Sequence, residues 1–117
     1  MQYLIMLHFP PGEGPPEGTP EYDAEMERWG KLTREMRDAG VVIGVSGLQL
    51  EAVTTVRRKS GELTVTDGPY AETKEVLFSF YIIDVEDLDA ALAWAARMPS
   101  AEYGSVEVRP MVGYEAG

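Results

Sequence analysis

The side chains able to move a proton or grip a charge gather most densely in one run, Thr66-Asp67-Gly68-Pro69-Tyr70-Ala71-Glu72-Thr73-Lys74-Glu75. Asp67 precedes a Gly-Pro turn. A carboxylate there caps backbone N–H groups while Gly68 supplies a permissive backbone, or it stands at a pocket mouth as a base or cation ligand. Lys74 is either a solvated or Asp67-paired ammonium, or a group that holds an anionic substrate and acts as a base once burial lowers its pKa. Tyr70, and Tyr81 further on, are packing residues whose hydroxyls need partners and are the candidate ligand contacts. Glu72 and Glu75 read as solvated. His8 is the only histidine. It is structural or exposed in one reading, and in the other the one side chain whose unperturbed pKa suits proton transfer near neutrality. Arg109 pairs with Asp67 or Glu107, or binds a carboxylate bidentately. The candidate catalytic set is therefore Asp67, Lys74 and His8, and the candidate ligand-binding set Tyr70, Tyr81 and Arg109.

Other chemistries are disfavoured by what the 117 residues lack. There is no cysteine, so no disulfide or thiolate site, and one histidine does not make the usual zinc site. No carboxylate spacing marks a magnesium site. Gly-x-Gly-x-x-Gly, P-loop and Gly-x-Ser-x-Gly patterns are absent, which argues against nucleotide cofactors and serine hydrolysis. No metal and no cofactor are expected. The formal charge of −10 repels a phosphate backbone, so direct nucleic-acid binding is not expected. It attracts basic protein patches and cationic ligands instead. Met1–Leu7 is apolar but lacks a basic flank and cleavage site, and no run approaches the roughly 20 apolar residues of a membrane span. A cytoplasmic protein with no membrane partner is the expectation.

The elements that would position these residues are legible from periodicity. Tyr3–Phe9 is a strand apolar on both faces, with Tyr3, Ile5, Leu7 and Phe9 on one and Leu4 and Met6 on the other. The Pro/Gly-rich stretch 10–18 is a loop, either disordered or a lid over a pocket. Thr19-Pro20-Glu21 starts a helix that Gly40 ends, with Tyr22, Met26, Trp29, Leu32 or Thr33, and Met36 as its buried stripe. Gly30 within it costs about 1 kcal/mol relative to Ala. Val41–Val45 is a strand, and Val53–Lys59 and Glu62–Thr66 form a hairpin around Ser60-Gly61. Arg57-Arg58-Lys59 reads as a solvated edge. Val76–Asp84 is a strand, with Leu77 and Ile83 set against Phe78, Phe80 and Ile82. Asp87 caps a second helix with Leu88, Ala91, Leu92, Ala95 and Met98 inward, and Ser105–Met111 is the last strand. This order predicts one α+β domain over 1–117: the split βαβ pattern of ferredoxin-like domains with an inserted β-hairpin, an antiparallel sheet with both helices on one face. The second face is then uncovered and apolar, which soluble monomers rarely tolerate. A homodimer through the sheet face is the expected solution.

The run Thr66–Glu75, with Tyr81-Ile82-Ile83-Asp84, Asp87-Leu88-Asp89-Ala90-Ala91-Leu92-Ala93-Trp94-Ala95 and Gly104-Ser105-Val106-Glu107-Val108-Arg109-Pro110, resembles the YCII-related, DGPF-domain proteins over nearly the whole chain. The resemblance implies a dimeric α/β barrel of ferredoxin-like subunits. Two departures stand out. Tyr70 replaces the usual Phe, and Leu77-Phe78-Ser79-Phe80 replaces a strand with paired glycines in many relatives, which implies a pocket or interface of different shape. Some relatives are proposed to use a His–Asp dyad. The first helix here holds no histidine, so the dyad does not carry over. Others bear a transcription-related label that supplies no mechanism. The leading expectation is a small organic ligand bound near the Asp67–Lys74 turn, with cofactor-free acid/base chemistry. The alternative is a non-catalytic interaction or transcription-associated module. A third reading makes the motif purely structural.

Overall fold

The computed structural model describes residues 1–68 and 74–113. The chain runs β1 (Gln2–Phe9), α1 (Pro20–Asp38), β2 (Val42–Gly47), β3 (Thr54–Lys59), β4 (Glu62–Asp67), β5 (Val76–Asp84), α2 (Leu88–Ala95), a short 3-10 turn (Pro99–Glu102) and β6 (Ser105–Pro110). Four strands form an antiparallel sheet in the order β2-β5-β1-β6, and β3 and β4 pair separately as the inserted hairpin. The fold is ferredoxin-like α+β.

Local chemistry explains the helix ends. The Thr19 hydroxyl accepts from the Tyr22 backbone N–H at 3.2 Å and donates to the Pro16 carbonyl at 2.7 Å, fixing loop and helix start together. At the other end Val41 N–H donates to Met36 and Gly40 N–H to Arg37, the paired bonds of a Schellman cap. Asp87 caps α2 by accepting from Ala90 N–H at 2.9 Å. Ser60 and Gly61 both hold positive φ, as a two-residue hairpin turn with the right twist demands.

Alternation sorts the sheet into two faces. Tyr3, Ile5, Leu7, Tyr81 and Ile83 are buried against Leu32 and Met36 of α1 and Ala91 of α2. Leu4, Met6, Phe80 and Ile82 lie on the other face, each only half-buried. Within that frame three details differ from the sequence pattern. Leu7 pairs with Ser79 but His8 pairs with Leu77, so Phe78 is an extra residue in the ladder. This bulge turns Phe78 away from Phe80 and Ile82 and onto the helix side, where its ring meets Phe9 and Trp29. Leu88 and Leu92 are both 46% exposed, because the buried seam of α2 runs through the small Ala91 and Ala95 and on to Met98. Met26 is 50% exposed, since α1 stands over a hollow at that turn and not over packed sheet.

Gly104, at the entry to β6, has a reason that spacing does not reveal. A Cβ there would lie 2.1 Å from the His8 carbonyl oxygen. The backbone of β6 therefore presses directly on the end of β1.

Candidate functional site

Two hollows flank the end of β1. The first, about 460 Å³, opens between the 10–18 loop, α1 and the bulged part of β5. Its floor is aromatic. The Trp29 indole lies nearly parallel to Tyr81, with centroids 6.5 Å apart and planes 19° apart. It meets Phe78 edge-on at 6.3 Å, and Phe78 meets Phe9 edge-on at 5.3 Å. The bulge supplies this wall, since it delivers both Phe78 and Ser79 to the same side.

One carboxylate organises the polar side. Glu25 Oε2 accepts from the Tyr103 hydroxyl at 2.7 Å and from the Trp29 Nε1–H at 3.3 Å. Glu25 and Trp29 are one helical turn apart on α1, while Tyr103 arrives from the segment before β6, so the bond ties two layers together. Burial, and then the adjoining Glu25 carboxylate, push the Tyr103 phenol well above the usual tyrosine range. It remains a proton donor at neutral pH. Arg28 adjoins this group: its guanidinium donates to Glu102 at 2.8 Å, and its charge acts on both Glu25 and Tyr103. The Tyr81 hydroxyl is 2.7 Å from Thr33 Oγ1. Burial raises its pKa, a rise that the Thr33 hydrogen bond partly offsets. The loop is seated on this arrangement: a Cβ at Gly14 would fall 2.7 Å from the Tyr103 ring. The stretch 10–18, read as either a disordered loop or a lid over a pocket, lines the hollow through Glu13, Gly14, Pro15 and Glu17. The charged residues lining it are Glu13, Glu17 and Glu25, all acidic.

The second hollow, about 590 Å³, is bounded by His8, its ladder partner Leu77, Glu75 and the run from Leu48 to Val53. It adjoins both flanks of the conspicuous motif. Gly68 N–H donates to the Val53 carbonyl at 2.6 Å, and the Thr55 hydroxyl donates to the Gly68 carbonyl at 2.5 Å. Ser105, opposite His8 in the ladder, donates to Glu75 Oε2 at 2.8 Å.

The residues singled out from sequence fall in different places. Tyr81 lines the first hollow and His8 the second. Asp67 is exposed at the base of the hairpin, opposite Thr54, and Lys74 is exposed at the far flank of the motif. Tyr70 and Glu72 lie outside the described residues. Arg109 is on β6, opposite Leu4, and ion-paired to Glu107. Among the described residues no group of three or more His, Asp or Glu side chains is placed to share a metal ion, and no helix is long and apolar enough to cross a membrane. Sequence reasoning passed over Glu25 and Tyr103. Glu25 did carry a signal: it is an acid set within the Tyr22, Met26, Trp29 stripe, where a solvated carboxylate has no business. Tyr103 carried none, because its role depends on the turn that brings it across to α1.

The architecture is that of a small ferredoxin-like α+β domain with a ligand-sized hollow between its helix layer and its sheet. The chain belongs to the YCII-related domain family, whose model matches residues 1–114. It is similar to an uncharacterized protein of Rhizobium meliloti (strain 1021), 48% identical over 68 residues, which is 56% of this chain and 55% of that relative. The matched region thus spans about half of the relative's length.

Proposed function

We propose that this YCII-related protein is a cytoplasmic binder of a small organic molecule, held in the hollow under the 10–18 loop. The observation that supports this most is the Glu25 carboxylate, fixed by two donors beside a wall of aromatic rings in a space of about 460 Å³. An apolar cavity with a few convergent polar groups is the usual make-up of a ligand site. The reading extends to cofactor-free acid/base chemistry, with Glu25 as proton acceptor and the Tyr103 hydroxyl holding that carboxylate in place. The test is a thermal-shift screen against metabolite mixtures, run on the wild type and on Gly47→Phe. Gly47 lines the hollow and has open space around it, so a phenyl group there plugs the site without disturbing the core. Metabolites that stabilise the wild type and not the plugged variant support the reading. Hits shared equally by both proteins, or no hits, reject it.

A second reading seats the ligand beside the motif turn, in the His8 hollow. It is favoured by one observation, that Val53, bonded to Gly68, and Glu75 bracket that space. In that case the same screen loses its hits in Asp67→Asn and Lys74→Ala and keeps them in Gly47→Phe.

Either site sits in a subunit that we propose pairs two-fold through the open sheet face. Leu4, Met6, Phe80 and Ile82 lie together there, and in the separate hairpin Val56, Leu63 and Val65 are each more than half exposed. Burying such a surface is the usual reason for a symmetric pair. Light scattering at micromolar concentration should give twice the 12.9 kDa chain mass, and Met6→Asp should halve it. A wild-type monomer contradicts the pairing.

A further inference from the structure

We infer that the ligand of the hollow under the 10–18 loop is an organic ammonium ion, its nitrogen at Glu25 and its body against Trp29 and Phe78. This inference rests on the proposal that the hollow binds a small molecule, and adds the class of molecule. The sign of charge comes first. Three carboxylates line the hollow, Glu13, Glu17 and Glu25, and no lysine, arginine or histidine is among its described lining residues. An anionic ligand would enter against all three. The whole chain, at −10, repels it as well.

Geometry gives the second argument, independent of charge. Glu25 is half-buried, and both of its donors reach the same oxygen, Oε2. Oε1 has no partner among the described residues, so the carboxylate is oriented by the protein and still has an acceptor to offer. Arg28 of the same helix, whose charge also acts on Glu25, donates to Glu102 at 2.8 Å and makes no hydrogen bond to Oε1. Trp29, which donates to Glu25, and Phe78, its edge-on neighbour at 6.3 Å, line the same hollow. A cation against aromatic faces, paired with one oriented carboxylate, is the arrangement that recognises alkylammonium groups. A neutral donor could also reach Oε1, but only an ammonium adds charge pairing to that hydrogen bond.

The experiment uses three probes of one shape and different charge: phenethylamine, 2-phenylethanol and phenylacetate. Each is titrated into the ¹⁵N-labelled protein while the indole N–H signals of Trp29 and Trp94 are followed. Trp29 donates to Glu25 and reports the site directly; Trp94 is the control. The amine should move the Trp29 signal with an affinity at least about tenfold above the alcohol, and phenylacetate should be weakest. Glu25→Gln should bring amine and alcohol to equal affinity with the alcohol unchanged, while Glu27→Gln, an exposed acid of the same helix, should leave the preference intact. Equal binding of amine and alcohol by the wild type overturns the ammonium assignment and leaves the ligand site standing. So does a preference that survives Glu25→Gln or vanishes equally in Glu27→Gln, since the attraction would then be diffuse. A Trp29 signal unmoved by all three probes overturns both the assignment and the proposed site.

Discussion

Replacing Gly104 by alanine should destabilise the protein more than any other glycine-to-alanine change in the sheet. The added methyl would stand 2.1 Å from the His8 carbonyl oxygen and 3.0 Å from the Phe9 Cα, where ordinary contact begins at 3.4 Å. One strand must retreat by about 1.3 Å to relieve the first contact. The obstructing atoms are backbone, so no rotamer change absorbs the overlap. Overpacking of this kind costs about 3 kcal/mol, the upper part of its usual range. For a domain of this size that is a fall in melting temperature of roughly 10 °C. The backbone of Gly104 does not hold a positive φ, so the effect comes from the clash and not from strain in the turn. Gly44 and Gly47, also in the sheet, have nothing within 4 Å of the position an added methyl would take and serve as controls. Thermal denaturation followed by circular dichroism of the three alanine variants is the assay. Gly44→Ala and Gly47→Ala should melt within about 2 °C of the wild type, the range of neutral surface changes. A Gly104→Ala protein that also melted within that margin would refute the argument, because β6 would then be free to move away from β1 at no cost.

Two further outcomes follow from the same structure. Gly30 lies inside α1 with only the tip of the Arg34 side chain, 3.9 Å away, near the position a methyl would take; Gly30→Ala should therefore raise stability by about 1 kcal/mol in urea denaturation, and a loss would show that α1 is held closer to its surroundings than this. Tyr81 and Tyr103 both have pKa values raised by burial, so the folded chain keeps protons that the unfolded chain releases near about pH 10. Their contribution is complete below that pH and is lost as pH rises beyond it. The urea midpoint should fall between about pH 9 and about pH 11, less steeply in Tyr103→Phe. Identical slopes in the two proteins would contradict the raised Tyr103 pKa.

Periodicity carried most of the fold into view because each element here has a face to bury. The alternation of β1 separates Tyr3, Ile5 and Leu7 from Leu4 and Met6 in sequence as in space. The caps at Thr19, Gly40 and Asp87 are local chemistry and are equally readable. Phe78 shows where that reading stops. Its side depends on a ladder shift at Leu7 and His8, a relation between two strands far apart in the chain, and strict alternation put it on the wrong face. Leu88 and Leu92 fail for a related reason: helical spacing gives the seam of α2, but the sheet selects which neighbouring pair, here Ala91 and Ala95, lies deepest.

The candidate site was less legible. The motif around Asp67 draws attention because its residue types are concentrated in sequence. Glu25, Trp29, Phe78 and Tyr103 are dispersed along the chain and converge through the helix turn, the bulge and the β6 entry. Tyr81 was picked out for its hydroxyl, which bonds to Thr33, whereas its ring face against Trp29 is what it brings to the hollow.

The most direct measurement of the central claim is a crystallographic fragment screen on the wild-type protein. The account requires fragments to collect between Trp29, Phe78 and Tyr103, with basic nitrogens turned toward Glu25. If that space stayed empty while fragments settled beside His8 or on the Leu4, Met6, Phe80 surface, the hollow under the proline-rich loop would not be the binding site.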